Sequence, residues 1–134
     1  MQKSVEIDGK KINLLSSGVT PIIYKAAFQR DYFSDIGTIL EAVGDLFKDD
    51  ESQTNKKLSE TGIKSDDGMN FAIRLLKSGS VPILYNLFWT YAKNADGMIP
   101  KLEDWLKEFS QLAILDFSQE IISLLMSSLT TKKV

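Results

Sequence analysis

The segment VPILYNLFWTYAKN, residues 81–94, decides the fold. Ser80 lies just before this segment and Pro82 is its second residue, a pairing typical of the first turn of a helix. Apolar side chains occur on nearly every face of this predicted helix: Val81, Ile83, Leu84, Tyr85, Leu87, Phe88, Trp89 and Tyr91. A helix of this kind in a water-soluble chain has to be enclosed by other elements. We therefore expect a central helix over about 81–94.

The N-terminal residues 1–16 predict a β-hairpin. Apolar residues alternate with polar ones on both sides of a turn: Val5, Ile7, Ile12 and Leu14. Asp8-Gly9 lies between the two runs and supplies the positive φ that a tight primed turn requires. Because a lone hairpin is marginal in water, its apolar face is expected to pack on helices.

Two helices are predicted over residues 20–48. Thr20 provides a hydroxyl N-cap and Pro21 the first helical residue, and this helix is expected to end near Arg30. A second helix begins near Asp35 and has the clearest helical periodicity in the chain. Its apolar stripe is Ile36, Ile39, Leu40, Val43, Leu46 and Phe47.

Residues 49–66 contain few apolar side chains, so this acidic stretch is predicted to be a mobile loop. Helical pattern then resumes and extends, with interruptions, over residues 67–129. Its first helix ends at Ser78-Gly79, a common C-terminal signal. A short helix follows Pro100 and runs from Lys101 to about Phe109, and the last helix runs from Phe117 to about Leu129. Residues 130–134 form a polar tail.

The predicted fold is therefore mainly α: one domain over residues 1–134, with an N-terminal β-hairpin and five or six helices around the central helix. A chain of this size can bury a core without disulfides or metal. Hydrophobic residues make up 43% of it and charged residues 25%, which is typical of a folded domain.

Composition also restricts the chemistry. The chain contains no His and no Cys, so histidine bases, catalytic triads, thiolate nucleophiles and Cys or His zinc sites are excluded. A formal net charge of −2 argues against a dedicated nucleic-acid binder. No stretch reaches the roughly 20 apolar residues of a membrane span, and the N-terminus lacks the apolar run of a signal peptide. We expect a cytosolic binding protein, not an enzyme, with no catalytic residue, cofactor, nucleic acid or membrane partner.

Acidic residues raise the alternative of a metal site. From Asp49 onward, Glu51, Gln53 and Glu60 occupy ligand positions of a calcium-binding EF-hand loop. That loop needs Gly at its sixth position, where this chain has Thr54. A solvated loop is the better interpretation, and no metal ligand is assigned.

The last predicted helix offers a candidate partner-binding stripe: Phe117, Ile121, Leu124 and Leu125. A terminal amphipathic helix can lie in a partner's groove, or it can pack onto its own domain. Packing at home is the stronger alternative, because the remaining core needs apolar surface.

Two segments of the chain resemble a known family. The hairpin IDGKKINL (Ile7 to Leu14) is followed by SSGVTPIIYKAAFQRDYFSDI, with matches at Thr20, Pro21, Tyr24, Phe28, Arg30, Asp31, Phe33 and Asp35. The second segment is NLFWTYAKNADGMIPKLEDWLKEF, with matches at Tyr91, Ala92, Lys93, Ala95, Asp96, Ile99, Pro100, Trp105, Leu106 and Phe109. In order and spacing, these motifs resemble the tail assembly chaperones of siphophages and prophages of Gram-positive bacteria.

The resemblance implies a protein that binds the tape measure protein and keeps it soluble while tail tube subunits polymerise around it. The tail tube protein is a further expected partner. Such a chaperone acts in the cytoplasm of the bacterial host and is absent from the mature virion. Many members also exist as an extended form made by ribosomal frameshifting, which only the nucleotide sequence decides here. The oligomeric state, a homo-oligomer included, and the docking face are left open.

Two other function classes compete with the chaperone. One is a small phage-encoded regulatory protein, either transcriptional or anti-repressor, although the clearest helices here are acidic or apolar instead of basic. The other is an enzyme that uses only carboxylates, for which the sequence has no constellation. Salt-dependent retention on DNA would favour the first, and metal-dependent turnover the second.

Overall fold

A computed structural model describes residues 1–43, 73–110 and 117–129. In this part of the chain, a two-stranded antiparallel hairpin is followed by six helices, which confirms the predicted fold class. The elements are β1 (Gln2–Ile7), β2 (Lys10–Leu15), α1 (Thr20–Phe28), α2 (Tyr32–Val43), α3 (73–78), α4 (Val81–Ala95), α5 (Leu102–Leu106) and α6 (Ser118–Ser127).

The hairpin forms as predicted because its turn is locally determined. Asp8 and Gly9 have φ values of 53° and 77°, the left-handed conformation that primed turns require. The turn sets a register in which Val5 pairs with Ile12. One face of the hairpin is thereby apolar, and it packs against α4 and α6.

Helix α4 lies at the centre of the fold, which confirms the prediction from residues 81–94. It packs against β2, α1 and α6. Its buried side chains are Ile83, Leu84, Leu87, Phe88, Trp89, Thr90, Tyr91 and Ala92. The core forms where these side chains meet the hairpin's apolar face and the inner faces of α2 and α6.

The break between α3 and α4 has the predicted C-terminal signal. Gly79 has a φ of 74°, its N–H donates to the carbonyl of Leu76, and the N–H of Ser80 donates to the carbonyl of Leu75. This pair of hydrogen bonds defines a Schellman motif, in which glycine takes the left-handed position without steric cost.

Some predicted helix boundaries are wrong by a few residues. Thr20 is the first residue of α1 and not its N-cap, because its hydroxyl accepts a hydrogen bond from the N–H of Ser17 in the preceding loop, at 2.9 Å. Helix α2 begins at Tyr32, ahead of the predicted start, because the carboxylate of Asp31 accepts from the N–H of Ser34 at 2.7 Å. That contact is an N-cap that the sequence analysis did not recognise.

Other predictions fall on residues that are not described. Outside the described residues lie the acidic stretch 49–66, which was predicted to be a mobile loop, and the tail 130–134. The same holds for Leu46 and Phe47 and for the start of the helix predicted from Asp67. Within the described ranges, no helix combines the length and the apolar character needed to cross a membrane.

Candidate protein-interaction surface

The predicted partner-binding stripe of α6 lies in the core. Ile121, Leu124 and Leu125 are fully buried, and the ring of Phe117 stacks on that of Phe88 with centroids 6.0 Å apart. In the structure, α6 packs onto its own domain, which is the alternative that the sequence favoured. A docking role for these four residues stays an untested prediction, and it would require α6 to leave the core.

A buried carboxylate joins α1 to α2. Asp35 is almost completely buried, and it accepts a hydrogen bond from the hydroxyl of Tyr24 and two from the guanidinium of Arg30, each of the latter at 2.7 Å. Burial alone would raise the pKa of Asp35, but the hydrogen bonds from Arg30 and Tyr24 outweigh it and hold that pKa below its usual value. Burial and the bond to Asp35 raise the pKa of Tyr24. This cluster is an ion pair with a buried carboxylate and a phenol donor, and it joins the two helices.

A chain of hydroxyl groups joins four further parts of the fold. The Tyr32 hydroxyl lies 2.8 Å from the Tyr91 hydroxyl and 2.8 Å from Oγ of Ser128, which in turn lies 3.0 Å from Oγ of Ser16. Burial raises the pKa of Tyr91 far above its usual range, so this phenol stays neutral at physiological pH. The chain ties α2 and α4 to the end of α6 and the end of the hairpin.

The end of α4 holds the start of α1. The side-chain amide of Asn94 donates to the carbonyl of Leu15 at 3.0 Å, to Oγ of Ser17 at 2.9 Å and to Oγ1 of Thr20 at 3.0 Å. Because two amide hydrogens are shared among three acceptors, the amide nitrogen is fixed at this point. Asn94 thus fixes the path of the chain from hairpin to helix.

The two segments that carry the family resemblance pack directly on each other. The rings of Phe28 and Trp89 meet edge to face at 5.4 Å, and those of Tyr32 and Tyr91 at 6.4 Å. The ammonium group of Lys93 donates to two carbonyls of the loop after α4, each at 2.7 Å. Of the matched residues, Phe28 and Tyr91 therefore have structural roles where α1 and α2 meet α4, and Lys93 has one at the end of α4.

Helix α1 has an apolar row on its outer side. Val19, Ile22 and Ala26 are all exposed, with Ile22 67% and Val19 43% accessible, and their spacing of i, i+3 and i+7 places them along one side of a helix. We call these three residues the α1 stripe. Lys25 and Arg30 are exposed on the same segment, and residues 16–30 contain no acidic side chain. Because Arg30 is paired with Asp35, Lys25 is the basic side chain that borders the apolar stripe.

The other large apolar side chains that are exposed form at most pairs spaced i, i+3, namely Ile73 with Leu76 on α3 and Met126 with Leu129 at the end of α6. They are distributed over several elements: Met1, Phe33, Ile73, Leu76, Met98, Met126 and Leu129. Single exposed apolar residues are normal on protein surfaces, whereas a helical row is the pattern that binds a second helix. The α1 stripe is not evident from the sequence because the helix also carries the buried Tyr24 and half-buried apolar residues on its other side.

Among the described residues, no group of three or more acidic side chains is placed to hold a metal ion. Comparison with protein-family models, with curated proteins and with solved structures finds no match for this chain.

Proposed function

We propose that this chain is a phage tail assembly chaperone that binds the tape measure protein and keeps it soluble while the tail tube assembles. On this proposal it acts in the cytoplasm of the bacterial host and is absent from the mature virion. The sequence resemblance names the family, and the α1 stripe is the observation that supports a binding role. A tape measure protein exposes apolar helical rows until the tube encloses it, and an apolar row on another helix can cover them.

The size of the stripe suits a reversible contact. Val19 and Ala26 are seven residues apart, so the stripe spans about 10 Å, or two helical turns. Complete burial of an isoleucine side chain contributes about 1.5–3 kcal/mol, and Ile22 is the largest residue of the row. One such contact binds weakly, which is what a chaperone needs if the growing tube is to displace it.

Co-expression with the tape measure protein tests the proposal. We expect the wild-type chain to keep that protein soluble and to elute with it. Ile22→Asp should abolish co-elution without unfolding the chain, because the side chain is largely solvent-exposed. Met98→Asp is the matched control: Met98 is 88% exposed and lies outside the stripe, so this variant should retain binding.

Three outcomes count against the proposal. A tape measure protein that stays insoluble and unbound with both the wild-type chain and any frameshifted extended form would refute the chaperone function. Loss of binding in Met98→Asp but not in Ile22→Asp would refute the α1 stripe as the docking surface. Salt-dependent retention of the chain on DNA would favour the regulatory alternative.

A further inference from the structure

Within the described residues, the outer edge of β1 has backbone groups without hydrogen-bond partners. The backbone nitrogen of Met1 donates to the carbonyl of Ser16, and the N–H of Ser16 donates back to the carbonyl of Met1, each at 2.9 Å. Along an antiparallel ladder, residue pairs that exchange two hydrogen bonds alternate with pairs that exchange none. The N–H and C=O groups of Gln2, Ser4 and Glu6 therefore point away from β2. No hydrogen bond links them to another described residue.

The outward backbone groups of β2 are partly engaged. There the outward groups belong to Lys11, Asn13 and Leu15, and the carbonyl of Leu15 accepts from the side chain of Asn94. Helix α4 packs against β2 and helix α6 against β1. Among the described residues, one outward group of β2 is engaged and none of β1, so the β1 edge has the longer row of backbone groups available to another strand.

We propose that the β1 edge pairs with the β1 edge of a second copy of this chain, in antiparallel orientation, to make a four-stranded sheet across a two-fold axis. A row of unpaired N–H and C=O groups is a template for strand addition. Pairing centred on Ser4 satisfies the outward groups of all three residues in both copies, with about six hydrogen bonds. A two-fold contact of this kind uses the β1 edge of each copy once, so assembly through this edge stops at the dimer.

The side chains suit this register. Gln2, Ser4 and Glu6 are exposed on the outer face of the hairpin. Pairing about Ser4 places each Glu6 opposite Gln2 of the second copy, so no like charges face each other and each carboxylate meets an amide donor. On the inner face, Val5 and Ile7 continue the apolar surface from one copy to the next.

Lys3 limits the strength of the contact. It lies on the inner face, half-buried, in register opposite Val5 of the second copy. A lysine on an edge strand is a common device against uncontrolled strand pairing. The dimer is therefore expected to be reversible and dependent on protein concentration, and Lys3→Thr should strengthen it.

Measurement of mass by light scattering or sedimentation over a concentration series of the full chain tests the proposal. The mass should rise from 15.0 kDa toward twice that value. Ser4→Pro removes the outward N–H at the two-fold axis and leaves the hairpin's own bonds intact, since edge strands accept proline where the N–H faces solvent. It should weaken dimerisation roughly tenfold or more, whereas Ser4→Val keeps the N–H and should keep the dimer.

Two exposed substitutions test the register without altering the backbone. Gln2→Glu places a carboxylate opposite Glu6 of the second copy and should weaken the dimer, with partial recovery at high salt. Gln2→Lys places an ammonium group there and should strengthen it. A chain that stays monomeric throughout the series would overturn the proposal. A dimer that Ser4→Pro and both Gln2 variants leave unchanged would overturn it equally.

Discussion

The Asp35 carboxylate should be the most sensitive polar group in the described part of the fold. It is buried, and three hydrogen bonds from Tyr24 and Arg30 converge on its two oxygens. Asp35→Asn keeps the shape of the side chain and removes the charge. The tyrosine hydroxyl and the guanidinium then face a neutral amide, one side of which is itself a donor and repels a donor opposite it.

The expected loss is about 2–3 kcal/mol in the free energy of unfolding. A hydrogen bond to a charged group contributes about 1.5–3 kcal/mol and a neutral one about 1 kcal/mol, so weakening of the Tyr24 bond accounts for roughly 1 kcal/mol. The remainder follows from mismatched donors: the new amide group either faces the guanidinium of Arg30, which has no acceptor, or donates to the Tyr24 hydroxyl, which then loses its own acceptor. For a chain of this length the melting temperature should fall by about 6–12 °C.

Thermal and urea unfolding followed by circular dichroism measure this loss. Asp31→Asn is the matched control, since it makes the same chemical change four residues earlier, where the side chain is exposed and caps α2. Because Asn caps helices about as well as Asp, this variant should lose less than about 0.5 kcal/mol. Equal losses at positions 31 and 35 would show that the buried cluster contributes nothing beyond a surface contact.

The pH dependence of the difference gives an independent check. The pKa of Asp35 in the folded chain is below its value in the unfolded chain, so the carboxylate stabilises the fold at pH values above the unfolded pKa of about 3.9. That contribution is lost as the pH falls from there through the folded pKa. The difference between wild type and Asp35→Asn should therefore be constant above about pH 5 and become smaller in acid. A difference that persists unchanged at pH 2 would refute the electrostatic reasoning.

Urea unfolding tests three further predictions. Gly9→Ala should cost about 1–2 kcal/mol because residue 9 has a φ of 77°, and Gly9→Asn should cost less; equal costs would contradict the turn assignment. Leu124→Ala should lower the free energy of unfolding by about 2–5 kcal/mol, because truncation of a fully buried side chain leaves a cavity. A change within about 0.5 kcal/mol would indicate that this side chain is on the surface. Tyr32→Phe removes two hydroxyl contacts and should cost about 1–3 kcal/mol, whereas Tyr85→Phe, which has no hydrogen bond in the described structure, should cost less.

Features determined by neighbouring residues were predictable from the sequence. Asp8-Gly9 specifies its turn through backbone sterics alone, Ser78-Gly79 ends a helix for the same reason, and the all-round apolar character of α4 requires enclosure. These three features determine the order of the elements and place α4 at the centre. That is why the fold class could be predicted before any tertiary contact was known.

The polar contacts made by Tyr32, Asn94 and Ser16 were not predictable, because the residues that they join are far apart in the chain. Tyr32 meets Tyr91 across 59 positions, Asn94 meets Thr20 across 74, and Ser16 meets Ser128 across 112. No local pattern marks a threonine as an acceptor for such a distant amide. The sequence analysis therefore assigned Thr20 the role that its local context favours, that of an N-cap.

Burial of the α6 stripe could be favoured from the sequence but not decided. Helical periodicity shows that α6 has an apolar face, but a buried face and a docking face have the same pattern. The distinction depends on whether the rest of the fold leaves room, and here Ile121, Leu124 and Leu125 are fully buried where α6 packs against α4 and β1. Helix α1 shows the converse: Tyr24 on its inner side is fully buried, whereas Ile22 on its outer side is 67% exposed. The exposed row of α1 therefore has a weaker sequence pattern than the buried face of α6.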